Sequence, residues 1–291
     1  MPIAPSNGLE LCYDEFGSGP PLLLIMGIAS QMILWDDVFC QRLADRGFRV
    51  IRFDHRDVGL SSQTGATIPN VPALVARALA GLSVPAPYTL SDMARDVVGL
   101  LDHLGIDAVH IAGVSMGGMI AQHLAIEHPT RVRTLTSIMS TPGGRRHLLG
   151  IRGSALRAFF GKRPGTPDQA ETFVVELYRA LHADGIPFPE ARTRARAAQL
   201  VARAWRPAAF PLHLSAVLAS GDRTAALATV RAPTLVMHGT HDPLIPIAAG
   251  RATAAAIPGA RFQEVPGMGH FLPPDVWDTL IDGIAGHAGA G

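Results

Sequence analysis

Ser115 stands between two glycines in the run Gly113-Val114-Ser115-Met116-Gly117-Gly118. An apolar stretch over 109–114 precedes it, and residues 116–128 carry apolar positions at helical spacing. The serine therefore falls at a strand-to-helix turn with glycine two residues to either side, the pattern called a nucleophile elbow. Such a turn is tight. Side chains at 113 and 117 would meet neighbouring backbone, and glycine removes the collision. The hydroxyl is pushed out above the sheet, at the positive end of a helix, where developing negative charge is stabilised. That suits nucleophilic attack on a carbonyl. In a chain with 30 glycines the spacing alone is cheap, and its place between strand and helix gives it weight.

A serine hydroxyl is a weak nucleophile at neutral pH and needs a base, itself oriented by an acid. In doubly wound sheets, ligands sit at the carboxyl ends of the strands. The partners are therefore expected just past later strands, in the chain order Ser, Asp, His. A strand over 234–238 is followed by Gly239-Thr240-His241-Asp242-Pro243, and one over 261–265 by Pro266-Gly267-Met268-Gly269-His270. Asp242 has a rival reading as a helix cap, and His241 beside it is a rival titratable group. His270 has no rival at its turn.

The elements that must position these residues alternate. Strands are expected over 9–16, 22–26, 49–53, 109–114, 134–139, 234–238 and 261–265. Helices are expected over 35–46, 90–104 (with Ser91 as N-cap), 116–128, 247–257 and 275–285. Strands alternating with helices imply a mainly parallel sheet covered on both faces. Two segments break the rhythm. Residues 64–89 carry four prolines around a short helical pattern, and 143–229 are helical throughout, an excursion from the top edge of the sheet.

Length and composition set the bounds. The chain has 291 residues, 48% of them hydrophobic and 17% charged, enough for a substantial core and too few charges for disorder. A net charge of +1 gives no reason to expect nucleic acid as a partner. Cys12 and Cys40 make no disulfide framework and read as small buried hydrophobes. No apolar run reaches the ~18 residues of a membrane span, and the N-terminus lacks a signal-peptide pattern. The expectation is a soluble, cytoplasmic protein.

Over nearly its full length the chain resembles the α/β-hydrolase superfamily. The resemblance is carried by Met26-Gly27 after the first buried strand, Asp54-His55-Arg56-Asp57-Val58-Gly59-Leu60-Ser61, the elbow, the acid turn and the terminal Gly-His. Within it, the chain most resembles bacterial carboxylesterases of the aclacinomycin methylesterase type, which also carry Met-Gly where most members have His-Gly. The resemblance implies a mainly parallel eight-stranded sheet with helices on both faces, its core at 1–142 and 230–291, and a helical cap inserted at 143–229. It implies Ser115 as nucleophile, His270 as general base and then acid, and Asp242 as orienting carboxylate, with the backbone N–H groups of Ile28 and Met116 as oxyanion hole. Gly27, Trp35, Phe159 and Phe271 are expected around the substrate. No metal and no organic cofactor is implied, and the partner is a small-molecule ester; a homodimer is left open. The same fold also hosts carbon–carbon hydrolases, lactonases, perhydrolases, aminopeptidases and ligand-binding receptors.

Other residue groups have plainer readings. Asp54, His55 and Asp57 look like a metal cluster, but the resemblance makes them a structural loop. The arginines of the cap (Arg145, Arg146, Arg152, Arg157, Arg192, Arg194, Arg196, Arg203 and Arg206) are read as a solvated helix face rather than an acid-binding pocket. Trp35 reads equally as the anchor of its own helix.

Overall fold

The computed structural model describes residues 1–68, 70–145, 153–182 and 184–289; Arg146 and Arg152, read above as part of a cap, lie outside that set. The strands are β1 (Ile3–Ser6), β2 (Leu9–Phe16), β3 (Pro21–Ile25), β4 (Arg49–Phe53), β5 (Val109–Val114), β6 (Val132–Ile138), β7 (Thr234–Gly239) and β8 (Arg261–Val265). They form one eight-stranded sheet in the order β1-β2-β4-β3-β5-β6-β7-β8. Pairings β1–β2 and β2–β4 are antiparallel, and every pairing from β4 to β8 is parallel. β1 escapes the sequence reading because it is four residues long and contains Pro5, a composition tolerated at the edge of a sheet.

The inner strands are buried on both faces, as β5 and β7 show along their whole length. Alternation sends Leu23 and Ile25 to one core and Leu22 and Leu24 to the other. Against the second core lie α1 (Asp37–Ala44), through Phe39 and Leu43, and a terminal helix through Leu280, Ile281 and Ile284. Past α2 (Val71–Leu79), the first core is covered by α3 (Leu90–His103) and α4 (Met116–Glu127). α3 starts on Thr89, not Ser91: the Thr89 and Asp92 side chains make a capping box, while Ser91 reaches out to Glu127.

Between β6 and β7 run α5 (Gly153–Phe160), α6 (Ala170–Leu181), α7 (Glu190–Arg203), α8 (Ala209–Ala219) and α9 (Thr224–Leu227); α10 (Ile247–Ala256) and α11 (Trp277–Ala288) complete the chain. This excursion is not uniform in its packing. Val174, Val175, Ala197 and Leu200 of α6 and α7 form their own cluster with Met32 and Ile33. Leu212 and Ala216 of α8 and Leu227 of α9 join the core beneath α3 and α4. Among the described residues no helix is long and apolar enough to cross a membrane.

The chain leaves β3 toward β4 on one side and returns to β5 on the other. The loops after β3 and β5 therefore diverge over a crevice, the place where doubly wound sheets bind ligands.

Candidate active site

Ser115 sits at that crevice. It occupies the N-cap of α4 with φ 54 and ψ −120, a backbone conformation that side chains rarely adopt. The flanking glycines make the turn possible. A Cβ on Gly117 would fall against the carbonyl oxygens of Ile25 and Met26, and one on Gly113 against the carbonyl of Gly117. The next strand end steadies the elbow, since Ser140 Oγ donates to the Ser115 carbonyl at 2.7 Å.

The turns after β7 and β8 bring Asp242 and His270 to the same edge. His270 Nε2 lies 3.0 Å from Ser115 Oγ, and His270 Nδ1 lies 2.7 Å from Asp242 Oδ2. Asp242 Oδ1 is occupied differently: it accepts the backbone N–H groups of Leu244 at 2.9 Å and Ile245 at 2.8 Å. The helix-cap reading of Asp242 is not realised: α10 has Pro246 as its N-cap with no side-chain bond, and Asp242 closes its own turn with one oxygen while the other faces the imidazole. Burial alone would raise its pKa. The adjacent His270 and hydrogen bonds from His238 and His270 outweigh that and hold the carboxyl well below the usual range. Its neighbour His241 is exposed and contacts Thr240. In this arrangement an imidazole can take a proton from a hydroxyl while the carboxylate fixes its tautomer.

Two backbone donors lie close by. Register pairs Ile25 with Gly113, so the loop after β3 runs beside the elbow, and a Cβ on Gly27 would stand 3.4 Å from Ser115 Cβ. Among the described residues neither the N–H of Ile28 nor that of Met116, the first residue of α4, meets a protein acceptor.

Two histidines hold this loop. His55 Nε2 donates to the Met26 carbonyl at 2.8 Å. Ala29, at φ 51, donates its N–H to His213 Nδ1 at 3.1 Å, and His213 Nε2 donates to the Arg56 carbonyl at 2.9 Å. His213 is thereby fixed as the neutral tautomer with its proton on Nε2. Burial lowers the pKa of His55 to about 3 and that of His213 to about 4. The sequence offered a signal for His213 that its reading missed: it is a lone imidazole in the apolar run of α8.

These shifts have a direction in stability. Between pH ~6.5 and ~4 the unfolded chain binds protons that buried His55 and His213 refuse, so stability falls as pH falls. His110, His123 and His287, also lowered by burial, act in the same sense. Each fully buried histidine contributes a slope of up to ~1.4 kcal/mol per pH unit. Urea melts at pH 7, 6 and 5, above the carboxylate range, are expected to show this decline, and it should shrink in His213→Gln. A flat profile to pH 5 would contradict it.

A cavity of about 190 Å³ opens over Ser115 and His270, lined by Gly27, Ile28, Phe159 and Phe271 among others. Trp35, expected there, is not in its wall. It is 1% exposed and packs at 5.3 Å on Phe39, four residues on, in the core beneath. The anchoring reading is the one the packing supports.

The acidic loop after β4 is engaged by protein donors. Asp54 accepts the N–H groups of Met32 and Leu60 and pairs with Arg203 at 2.7 Å. Asp57 accepts from Thr64 and from the Tyr88 hydroxyl. The arginines of α7 also depart from expectation. Arg192 and Arg196, one turn apart, both meet Asp36 Oδ2, the first at 2.6 Å, while Arg194 turns outward to Glu190. They form a clamp rather than a solvated stripe, because their partner lies at the start of α1, far away in sequence.

Residues 20–275 match the family model described as alpha/beta hydrolase fold. Rhodomycin D methylesterase DnrP of Streptomyces peucetius is 31% identical over 294 residues, covering 93% of this chain and 91% of that protein. Rhodomycin D methylesterase DauP of Streptomyces sp. (strain C5) is 30% identical over 288 residues, with the same two coverages, 93% and 91%. Among solved structures, the enol-lactonase from Burkholderia xenovorans LB400 superposes with a TM-score of 0.74 at 22% identity, over 98% of this chain and 99% of that one. The last likeness is one of fold.

Proposed function

This chain belongs to the alpha/beta hydrolase fold family, and we propose that it is a serine carboxylesterase. The observation that carries the reading is the hydrogen-bonded chain from Ser115 Oγ through His270 to Asp242 at the floor of the cavity. Ser115 Oγ attacks the ester carbonyl as its proton passes to His270 Nε2. Asp242 holds the imidazole and stabilises the imidazolium. The oxygen that becomes negative is received by the N–H groups of Ile28 and Met116, each contributing ~3–4 kcal/mol to the transition state. His270 then gives its proton to the departing alkoxide, leaving an acyl group on Ser115. Water, losing a proton to His270, releases the acid and restores the serine.

Similarity to methylesterases favours a small alcohol as leaving group. Neither step calls on a metal or an organic cofactor. A p-nitrophenyl ester of a short acid is expected to give a burst of p-nitrophenol matching the enzyme concentration, followed by steady release. A fluorophosphonate should label Ser115 and abolish turnover. Absence of both the burst and the label would overturn the assignment.

A further inference from the structure

The wall of the cavity is mostly apolar, but the charges on it are unequal. Arg163, Arg192, Arg196 and Arg206 line it against one carboxylate, Asp36. That carboxylate is fully engaged, with Oδ2 meeting both Arg192 and Arg196 and Oδ1 accepting the Val38 N–H. Burial would raise Asp36, and the Val38 N–H and these guanidiniums hold its pKa below the ordinary value.

Arg163 has no such partner. Its guanidinium lies over the Phe210 ring at 3.3 Å and beside Phe173 at 5.5 Å. It donates to the carbonyls of Phe159 at 3.1 Å and, more weakly, Gly161 at 3.4 Å. Among the described residues no carboxylate pairs with it, and the residues outside that set include no Asp or Glu. Burial alone lowers its pKa to about 10, so it remains charged at neutral pH. Arg206 donates only weakly, to the Gly59 carbonyl at 3.4 Å, and likewise has no carboxylate among the described residues. Trp205 Nε1 bonds the Pro164 carbonyl at 2.9 Å, so the stretches carrying Arg163 and Arg206 meet in one wall.

A guanidinium pressed against aromatic faces has shed hydration without gaining a counter-ion. The ligand group that repairs this is a carboxylate, whose two oxygens match the guanidinium fork. Resting on the esterase reading, we infer that the substrates are esters bearing a second, ionised carboxyl group, which Arg163 receives while the ester carbonyl lies over Ser115. Arg206 adds positive field from the same wall.

The test sets mono-p-nitrophenyl adipate against p-nitrophenyl hexanoate, a chain of equal length without the charge. At low salt the wild type should favour the charged ester in kcat/KM by ~10-fold or more, a preference that shrinks as salt is added. Arg163→Met should lower kcat/KM ~10–100-fold on the adipate ester and under ~3-fold on the hexanoate. Arg163→Lys keeps the charge and should retain part of the preference. Equal losses on both esters, or no charge preference in the wild type, would overturn the inference while leaving the esterase reading intact. Adipate binding to Ser115→Ala by calorimetry separates the two. Binding that Arg163→Met abolishes upholds the carboxylate seat even if no ester is turned over.

Discussion

Replacing Ser115 by alanine is expected to lower kcat on any ester by ~10⁴–10⁶-fold, with His270→Ala falling to a similar floor and the double variant no lower. In the proposed mechanism the hydroxyl and the imidazole act as a unit, so either loss alone costs nearly as much as both. What remains, in that mechanism, comes from the backbone donors of Ile28 and Met116 and from binding in the cavity, neither of which alanine at 115 disturbs. A stability measurement separates this loss from unfolding. Ser115 is held at φ 54, and alanine keeps the Cβ that makes the conformation unfavourable. Ser115→Ala should therefore melt within a degree or two of the wild type. Ser115→Gly, equally inactive, should be stabilised by ~1 kcal/mol because glycine adopts that backbone without strain. Retention of a tenth of the activity in Ser115→Ala would remove the serine from the mechanism.

Asp242→Asn is expected to lower kcat by ~10³–10⁴-fold, and the geometry says why. Oδ1 accepts two backbone N–H groups, from Leu244 and Ile245, so that site must remain an acceptor. The asparagine amide oxygen will take it, which turns the NH₂ toward His270 Nδ1. A donor there forces the imidazole to carry its proton on Nε2, facing Ser115, where a base is required. The enzyme would hold a well-formed hydrogen bond in the wrong direction. The expected signature is a fall in kcat with KM little changed and the melting temperature nearly preserved. Activity within tenfold of the wild type would show that the carboxylate does not set the tautomer.

What could be read in the sequence, and what could not, divides by distance along the chain. The strand, turn and helix around Ser115 are written in consecutive residues, because the glycines and the apolar periods act locally. The turns bearing Asp242 and His270 follow the same logic, each lying just past its strand. Thr89 and Ser91 both offer hydroxyls for a helix cap, and Asp92, three residues past Thr89, completes the capping box that decides between them. Groups whose meaning depends on a distant partner were illegible. Arg192 and Arg196 look like solvent-facing charge until Asp36 is seen beneath them. His213 looks like an interruption in an apolar helix until the Ala29 N–H is seen against it. Trp35 follows closely after the loop that carries Ile28 in sequence, yet its ring turns down onto Phe39.

The segment between β3 and α1 is tied to the roof at several points. Gln31 donates through Nε2 to the carbonyls of Leu200 and Ala204 at the end of α7, Asp36 grips Arg192 and Arg196 nearer its start, and Ala29 is bonded to α8. Ile28, whose N–H faces the reacting centre in the proposed mechanism, lies in that same short stretch. Whatever re-shapes the roof to admit a new substrate must pull on the donor below it. Selectivity and turnover rate in this enzyme are therefore not independent quantities for evolution or for a protein engineer. Substitutions along α7 chosen to widen the chamber should shift kcat as well as KM, and gains in breadth will come with slower chemistry unless Gln31 and Asp36 keep their grip.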